Sequence, residues 1–128
     1  MPKKDNKTVK LDRADVLFSQ YIRTRDKWTC QRCKTRYTPP TQALHCSHFI
    51  GRSKENTRFD PNNACALCMG CHLYFTSHPT EHFDWQIERL GGEIVSQLKM
   101  KAYLYKKKDR ALEVIFWKQE LDKLNKKA

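Results

Sequence analysis

Two cysteine pairs, Cys30-Gln-Arg-Cys33 and Cys68-Met-Gly-Cys71, dominate the sequence. Two residues between cysteines allow a tight turn to direct both sulfur atoms at one ion, and two such turns complete a tetrahedron. We therefore predict a structural Zn²⁺ site with these four cysteines as ligands. Four thiolates leave no open position for a substrate, so this zinc should only hold the fold together. A redox dithiol is the weaker alternative, because neither pair lies in a recognisable β-α-β context.

The segment between the two pairs is too long for a simple zinc ribbon, which predicts an insertion. Short strands are expected at about residues 43–50 and 63–67, with a polar loop rich in turn residues between them. His48 would lie near the end of the first strand and Asn63 at the start of the second. The insertion therefore carries the residues suited to chemistry.

Helical patterns cover most of the remaining chain. Asp12 or Asp15 caps the first helix, and further helices are expected at about residues 69–77, 82–90 and within 93–128. The predicted fold class is α+β: a zinc-stabilised core preceded by an N-terminal helix and followed by a basic helical extension. The apolar residues of that extension, such as Trp117, would form either a dimer contact or a lid on the core.

The chain has 128 residues, which is room for one domain with appendages. We divide it into a basic arm (1–11), a core (12–92) and the basic extension (93–128). With 25 Lys and Arg against 14 Asp and Glu, the formal net charge is +11, which points to a polyanionic partner.

No apolar run approaches the roughly 20 residues that span a bilayer, so a membrane partner is not expected. The N-terminus also lacks a signal-peptide pattern, so we expect a cytoplasmic location. Six cysteines in a reducing compartment indicate metal ligands rather than disulfides. Cys46 and Cys65, which lie outside the two pairs, are expected to be small buried apolar residues.

The residues from His48 to His72 resemble the HNH nuclease signature. In that signature an Asn stands five residues before the first Cys of the second pair, and a His follows the second Cys directly. Asn63 and His72 satisfy both spacings. The resemblance implies a ββα-metal core over about residues 30–78 and an HNH-type endodeoxyribonuclease, a phosphodiesterase that needs Mg²⁺ or Mn²⁺ for catalysis.

Phosphodiester hydrolysis explains these residue types. A neutral imidazole with a pKa near ~6.5 can take a proton from water, which suits His48 as general base. His72 points about 100° round the helix from Cys71, so it can face the first strand as a metal ligand. The resemblance gives Asn63 one of two roles, orienting the base or lending its carbonyl oxygen to the metal. As alternatives, Asn63 would be a turn residue and His72 a surface residue or a replacement zinc ligand.

The sequence departs from the signature at Ser47, where many HNH enzymes place an Asp or a second His as a metal ligand. The missing ligand would come from His45, Asp60, His78 or a water molecule. We favour Asp60, because it is a hard oxygen donor close to Asn63 in the sequence.

Further stretches resemble one group of HNH proteins, the Rap/NinG family of phage recombination endonucleases. The matching stretches are residues 17–26, 46–49, 57–63 and 87–91, so the resemblance covers most of residues 12–95. It implies cleavage of branched intermediates such as Holliday junctions and D-loops, in the cytoplasm of a bacterial host. Members of the family often carry Asn where this chain has His72.

Basic residues supply the expected contacts to DNA phosphates. They lie in the loop between the strands and in the extension: Arg52, Lys54, Arg58, Lys101, Lys106, Lys107, Lys108 and Arg110. No helix resembles a base-reading helix, so we expect low sequence specificity. A preference for branched DNA would arise from shape and from a homodimer.

Two alternatives to a DNA endonuclease remain. One is a non-catalytic, zinc-stabilised nucleic-acid-binding protein whose HNH site has decayed, which Ser47 supports. The other is a nuclease with the same site that acts on RNA.

Overall fold

The first helix, α1 (Arg13–Arg25), begins beside the predicted capping residues. The computed structural model describes residues 10–127. In it the Asp12 carboxylate accepts a hydrogen bond from the Asp15 backbone N–H, and the Asp15 carboxylate accepts one from the Asp12 N–H. This reciprocal capping box satisfies two backbone donors that a helix start leaves unpaired. Phe18 and Ile22 are fully buried on the inner face of the helix.

Two short antiparallel strands, β1 (Leu44–His48) and β2 (Ala64–Cys68), form the one sheet within residues 10–127. Leu44 lies opposite Cys68, and His48 lies opposite Ala64. Since side chains alternate along a strand, His45 and His48 point to opposite faces of this hairpin. One face packs against α1, and the other packs against the helix that follows β2.

The loop between the strands is more ordered than its polar composition predicts. It contains a short helix, α2 (Glu55–Arg58), and a 3₁₀ turn, Pro61–Asn63. Thr57, Arg58 and Phe59 are buried. The loop therefore packs against the core instead of lying in solvent.

Four further helices complete the described chain: α3 (Met69–Ser77), α4 (Pro79–Leu90), α5 (Gly92–Tyr103) and α6 (Arg110–Lys127). The prediction for α3 is confirmed, and α4 begins at Pro79, three residues earlier than expected. The fold is mixed α+β, as predicted. No helix within residues 10–127 is long and apolar enough to cross a membrane.

Helix α6 lies across α1 and closes the core. Its Trp117 is 3% exposed, and the indole meets the rings of Phe18 and Tyr21, each at a centroid separation of 4.9 Å. Of the two roles left open for the apolar residues of the extension, Trp117 takes the lid role. Leu112 and Phe116 stay exposed.

A buried ion pair ties the loop between the strands to α1. The guanidinium of Arg58 donates from Nη2 to Oδ2 of Asp15 at 2.6 Å and from Nε to Oδ1 at 3.0 Å. Nη1 donates to Glu55, and Nη2 also donates to the carbonyl of Lys10. Arg58 is 5% exposed, so this side chain is engaged inside the protein and does not take up the predicted phosphate contact.

Replacing Arg58 with leucine should strongly destabilise the protein. The change leaves the Asp15 carboxylate buried without its partner, which typically costs about 3–5 kcal/mol. Arg13→Leu, at an exposed position of α1, is the matched control and should change the free energy of unfolding by less than about 0.5 kcal/mol. Urea denaturation measures both, and equal midpoints for the two variants would contradict the structural role of the ion pair.

Candidate functional site

The four predicted zinc ligands come together in the fold. The sulfur atoms of Cys30, Cys33, Cys68 and Cys71 all lie within 4.8 Å of one another. The Sγ atoms of Cys33 and Cys68 are 3.8 Å apart. A tetrahedron with Zn–S bonds of about 2.3 Å has edges of about 3.8 Å, so the spacing fits zinc. The cluster could therefore bind a structural zinc ion, as the sequence predicts.

Each cysteine pair forms a turn in which the backbone N–H of the second cysteine points at the sulfur of the first. The N–H of Cys33 donates to Sγ of Cys30 at 3.5 Å, and the N–H of Cys71 donates to Sγ of Cys68 at 3.4 Å. Arg32 adds a charged donor, with Nη1 at 3.4 Å from Sγ of Cys71. Donors aimed at sulfur favour the thiolate form that metal binding requires.

Cys46 and Cys65 are buried core residues outside this cluster, as predicted. Burial raises the pKa of the Cys46 thiol to about 12 and that of Cys65 to about 11. Both therefore stay protonated at neutral pH and act as small apolar side chains.

Replacing Cys33 with alanine should release zinc and destabilise the fold, while Cys46→Ala should retain zinc. Loss of a structural zinc site lowers the free energy of unfolding by on the order of 4 kcal/mol or more, whereas a small truncation at Cys46 costs about 1 kcal/mol. Metal content by mass spectrometry and a denaturation curve provide the measurement. Full zinc occupancy in the Cys33 variant would rule out the assigned ligand set.

His72 faces strand β1 from α3, as predicted, but the side chain it meets is His45. Their Nδ1 atoms are 2.9 Å apart, and the rings meet edge to face. The pKa of His72 is lowered by burial first and then by the nearby His45 and Arg52. A lowered pKa keeps the His72 imidazole neutral at neutral pH, the state in which it can bind a metal.

His45 is therefore the candidate that replaces the ligand missing at Ser47. Two imidazole nitrogens suit divalent zinc, nickel or cobalt better than Mg²⁺, which prefers oxygen ligands. Within residues 10–127, only the four cysteines gather three or more potential ligands of the Cys, His, Asp and Glu types. The histidine pair thus offers two ligands, and water would supply the others.

The other candidate ligands have different partners. Asp60 pairs with the Lys101 ammonium and accepts from the Asn62 N–H, so the preference for Asp60 is corrected. His78 bonds through Nδ1 to the carbonyl of Tyr74 at 2.8 Å.

Asn63 fastens the loop that follows β1. Its Oδ1 accepts from the N–H of Ile50 at 2.8 Å, and its Nδ2 donates to the carbonyls of Ile50 and Thr57 at 2.8 and 3.1 Å. The residue is completely buried. The predicted metal contact of Asn63 is therefore corrected, since its amide is enclosed and engaged by backbone.

His48 lies on the face of the hairpin that packs against α1. One ring nitrogen, Nε2, lies 2.9 Å from the carbonyl oxygen of Arg58, and the ring contacts Phe18 at a centroid separation of 5.6 Å. A carbonyl only accepts hydrogen bonds, so it fixes the proton on that nitrogen. The opposite nitrogen, Nδ1, is buried and has no hydrogen-bond partner within residues 10–127.

Arg52 is the basic residue next to this histidine. Its Nε is also buried without a hydrogen-bond partner in the described part of the chain, and it lies 3.8 Å from Oδ1 of Asp15. The Arg52 charge lowers the pKa of both His48 and His72. Arg52 thus stands within electrostatic range of both histidines, although these lie on opposite faces of the hairpin.

Sequence reasoning missed His82, on α4. Its ring stacks on Phe75 at 4.5 Å, and Nε2 bonds to the amide of Gln86 at 3.0 Å. Burial, followed by the charges of His72 and Arg89, lowers the pKa of His82 to about 4. No spacing pattern in the sequence could have placed His82 near His72, because its position depends on where helix α3 ends and helix α4 begins.

The basic residues predicted to contact DNA fall into two groups. Some are bound to acidic residues of the protein itself, and the others are exposed. Arg110 donates to Asp12 and Glu55 at 2.6 to 2.8 Å, so its predicted phosphate contact is corrected. Lys101 is paired with Asp60. Lys54, Lys106 and Lys107 are exposed, and Lys108 is half-buried.

Comparison with known proteins found no match to this chain among protein-family models, curated proteins or solved structures.

The His48 ring should stay neutral well below the usual pH of histidine titration. Burial disfavours the charged imidazolium and the Arg52 charge adds to this, so the pKa falls from 6.5 to about 4. In NMR the ring signals of His48 should not shift between about pH 8 and 5.5, while in urea the same ring titrates near ~6.5. A folded-state midpoint above 6 would contradict this environment.

Proposed function

We propose that this protein is a metal-dependent endonuclease that hydrolyses phosphodiester bonds in DNA, with His48 as the general base. The observation that carries the proposal is the pairing of His48 with the Arg58 carbonyl. That contact fixes the tautomer of a neutral imidazole and leaves Nδ1 with a free lone pair. Because Nδ1 is buried, catalysis would require the site to open and admit a water molecule, which would lose its proton to Nδ1 as it attacks phosphorus.

Arg52 complements this base with a positive charge. Its unpartnered Nε can donate to a non-bridging phosphate oxygen, which would give the buried donor a partner. A phosphate bound there would also raise the low pKa of His48, because the anion stabilises the imidazolium and offsets the Arg52 charge. Substrate binding would thus make His48 a stronger base in the complex with DNA.

His45 and His72 would hold the catalytic metal through their converging Nδ1 atoms. A divalent ion held by these two residues would supply charge stabilisation for the transition state and the departing oxygen. Of the two ions expected from the sequence, we propose Mn²⁺ ahead of Mg²⁺, because it accepts nitrogen ligands more readily; Zn²⁺, Ni²⁺ or Co²⁺ would suit the two imidazoles better still. Asn63 acts as a positioning residue, because it fixes the loop that presents the Arg58 carbonyl.

The substrate class rests on charge and on the resemblance to the Rap/NinG family. A net charge of +11 and the exposed Lys54, Lys106 and Lys107 favour a phosphate backbone without base readout. We therefore propose branched recombination intermediates, cut with low sequence specificity.

A non-catalytic, zinc-stabilised nucleic-acid-binding protein is the second candidate. One observation favours it: His48 and the pair formed by His45 and His72 lie on opposite faces of the hairpin. Ser47 is 2% exposed, so it has no access to a metal or a substrate.

Cleavage of a plasmid and of a synthetic four-way junction, with added Mn²⁺ or Mg²⁺, tests the proposal. His48→Ala should lower the rate by about 100- to 10,000-fold, the usual contribution of a general base. His78→Ala is the matched control, because the His78 side chain is exposed and its one hydrogen bond within residues 10–127 goes to the Tyr74 carbonyl, so this variant should cleave like the wild type. Equal rates for the two variants would remove His48 from the mechanism.

Binding measured without cleavage separates the two candidates. Fluorescence anisotropy with a labelled junction and no added divalent ion should give similar affinities for the wild type and His48→Ala. Tight binding by a wild-type protein that cuts no DNA with either ion would establish the binding protein instead.

A further inference from the structure

We infer that a second surface of the molecule binds unpaired nucleobases of single-stranded DNA. This surface, the aromatic cleft, has a volume of about 660 Å³ and lies between the end of α1, the hairpin of the first cysteine pair and the end of α6. Its walls include Trp28 and Tyr37 together with the basic residues Lys27, Arg36 and Lys127. The inference goes beyond the proposed function and does not depend on cleavage.

The backbone holds the two aromatic residues of the cleft in fixed positions. After α1 the chain reverses through Lys27 and Trp28, whose φ angles are 58° and 52°. This left-handed conformation is unfavourable for bulky residues and persists only where the surroundings impose it. Here the Trp28 N–H donates to the carbonyl of Arg23 at 2.8 Å. This turn places the indole of Trp28 at the rim of the cleft.

Trp28 and Tyr37 stand next to each other across a short antiparallel bridge. Thr29 pairs with Arg36, and the Tyr37 N–H donates to the Trp28 carbonyl at 2.8 Å. Both side chains line the cleft, and both also pack in part against the buried residues around the cysteine cluster. The guanidinium of Arg23 lies over the indole at 4.8 Å, which further fixes the ring. The pair forms a rigid aromatic platform.

The charged residues of the cleft are all basic. Lys27, Arg36 and Lys127 are exposed, and none of them forms an ion pair among residues 10–127. The fourth basic residue of the cleft, Arg25, is bonded to Asp26 and to two backbone carbonyls. Among residues 10–127, no acidic residue lines the cleft. The ligand should therefore be an anion.

Single-stranded nucleic acid matches this combination of charge and aromatic surface. Its bases stack on aromatic side chains, and its phosphates pair with lysine and arginine. A duplex keeps its bases stacked on one another, so the cleft should accept only unpaired bases. An acidic peptide would use the charges but not the aromatic platform, and we therefore favour the nucleic acid.

An oligothymidylate and an abasic oligonucleotide of equal length test the inference in the full-length protein, with no divalent ion added. The abasic strand has the same phosphates but no bases, so it should bind roughly 5- to 100-fold more weakly. Tyr37→Leu should abolish the difference. Tyr103→Leu, at an exposed tyrosine outside the cleft, should preserve it. Zinc content and circular dichroism verify that both variants fold.

Two further results distinguish the outcomes. Oligothymidylate should quench tryptophan fluorescence in the wild type, and Trp28→Phe should remove most of that quenching. Equal affinity of the wild type for the two strands would overturn the inference, as would a base preference that survives Tyr37→Leu. Binding of a polyglutamate peptide that depends on Tyr37, without any base preference, would assign the cleft to acidic peptides instead. These outcomes are independent of cleavage, which His48→Ala tests.

Discussion

The convergence of four cysteine sulfurs is the constraint on which the rest of the structure depends. Cys68 ends β2 and Cys71 lies in the first turn of α3, so the strand and the helix meet at a fixed angle. Cys30 and Cys33 bring in a hairpin from a distant part of the sequence. The sheet has only two strands, and a core this small is marginal without a supplement. A zinc ion, which these four cysteines could bind, would be such a supplement, and Cys71 lies directly before His72 at the start of α3, opposite β1.

The fold around the cysteine cluster places two groups of histidines on opposite faces of the hairpin. On one face of the hairpin, His45 and His72 turn their nitrogens toward each other. On the other, His48 is held by a carbonyl and packs against Phe18. Arg52 influences the protonation of both groups from the start of the intervening loop. Burial lowers the pKa of both His48 and His72 first, and the Arg52 guanidinium adds a charge that acts on both faces.

Local sequence signals were sufficient for the start of α1, the two strands and the cysteine cluster, but not for α2. Asp12 and Asp15 act within one turn of each other, and the Cys-x-x-Cys spacing is itself a local geometry, so both could be read from the chain. The capping residues and the two cysteines of each pair lie a few positions apart, and the meeting of the two distant pairs followed from the four ligands that zinc requires.

The remaining errors involve partners that are distant in the sequence. Arg58 binds Asp15, and Arg110 binds Asp12 and Glu55, so basic residues expected on the surface are used inside. His45 replaced Asp60 as the neighbour of His72 because strand register, not sequence proximity, decides which residue faces α3. A pattern of charges cannot specify such pairings.

Helix α6 connects the interior with the outer surface of the protein. Near its middle Trp117 is packed in the core, whereas Leu124 and Lys127, two turns or more further on, form part of the wall of the aromatic cleft. The end of a helix frays before its middle does, because its last carbonyls lack partners within the helix. Fraying of the final turns would therefore dismantle that wall while the indole of Trp117 stayed in place. Ligand capture there would follow the local order of the last turns of α6, independently of global stability.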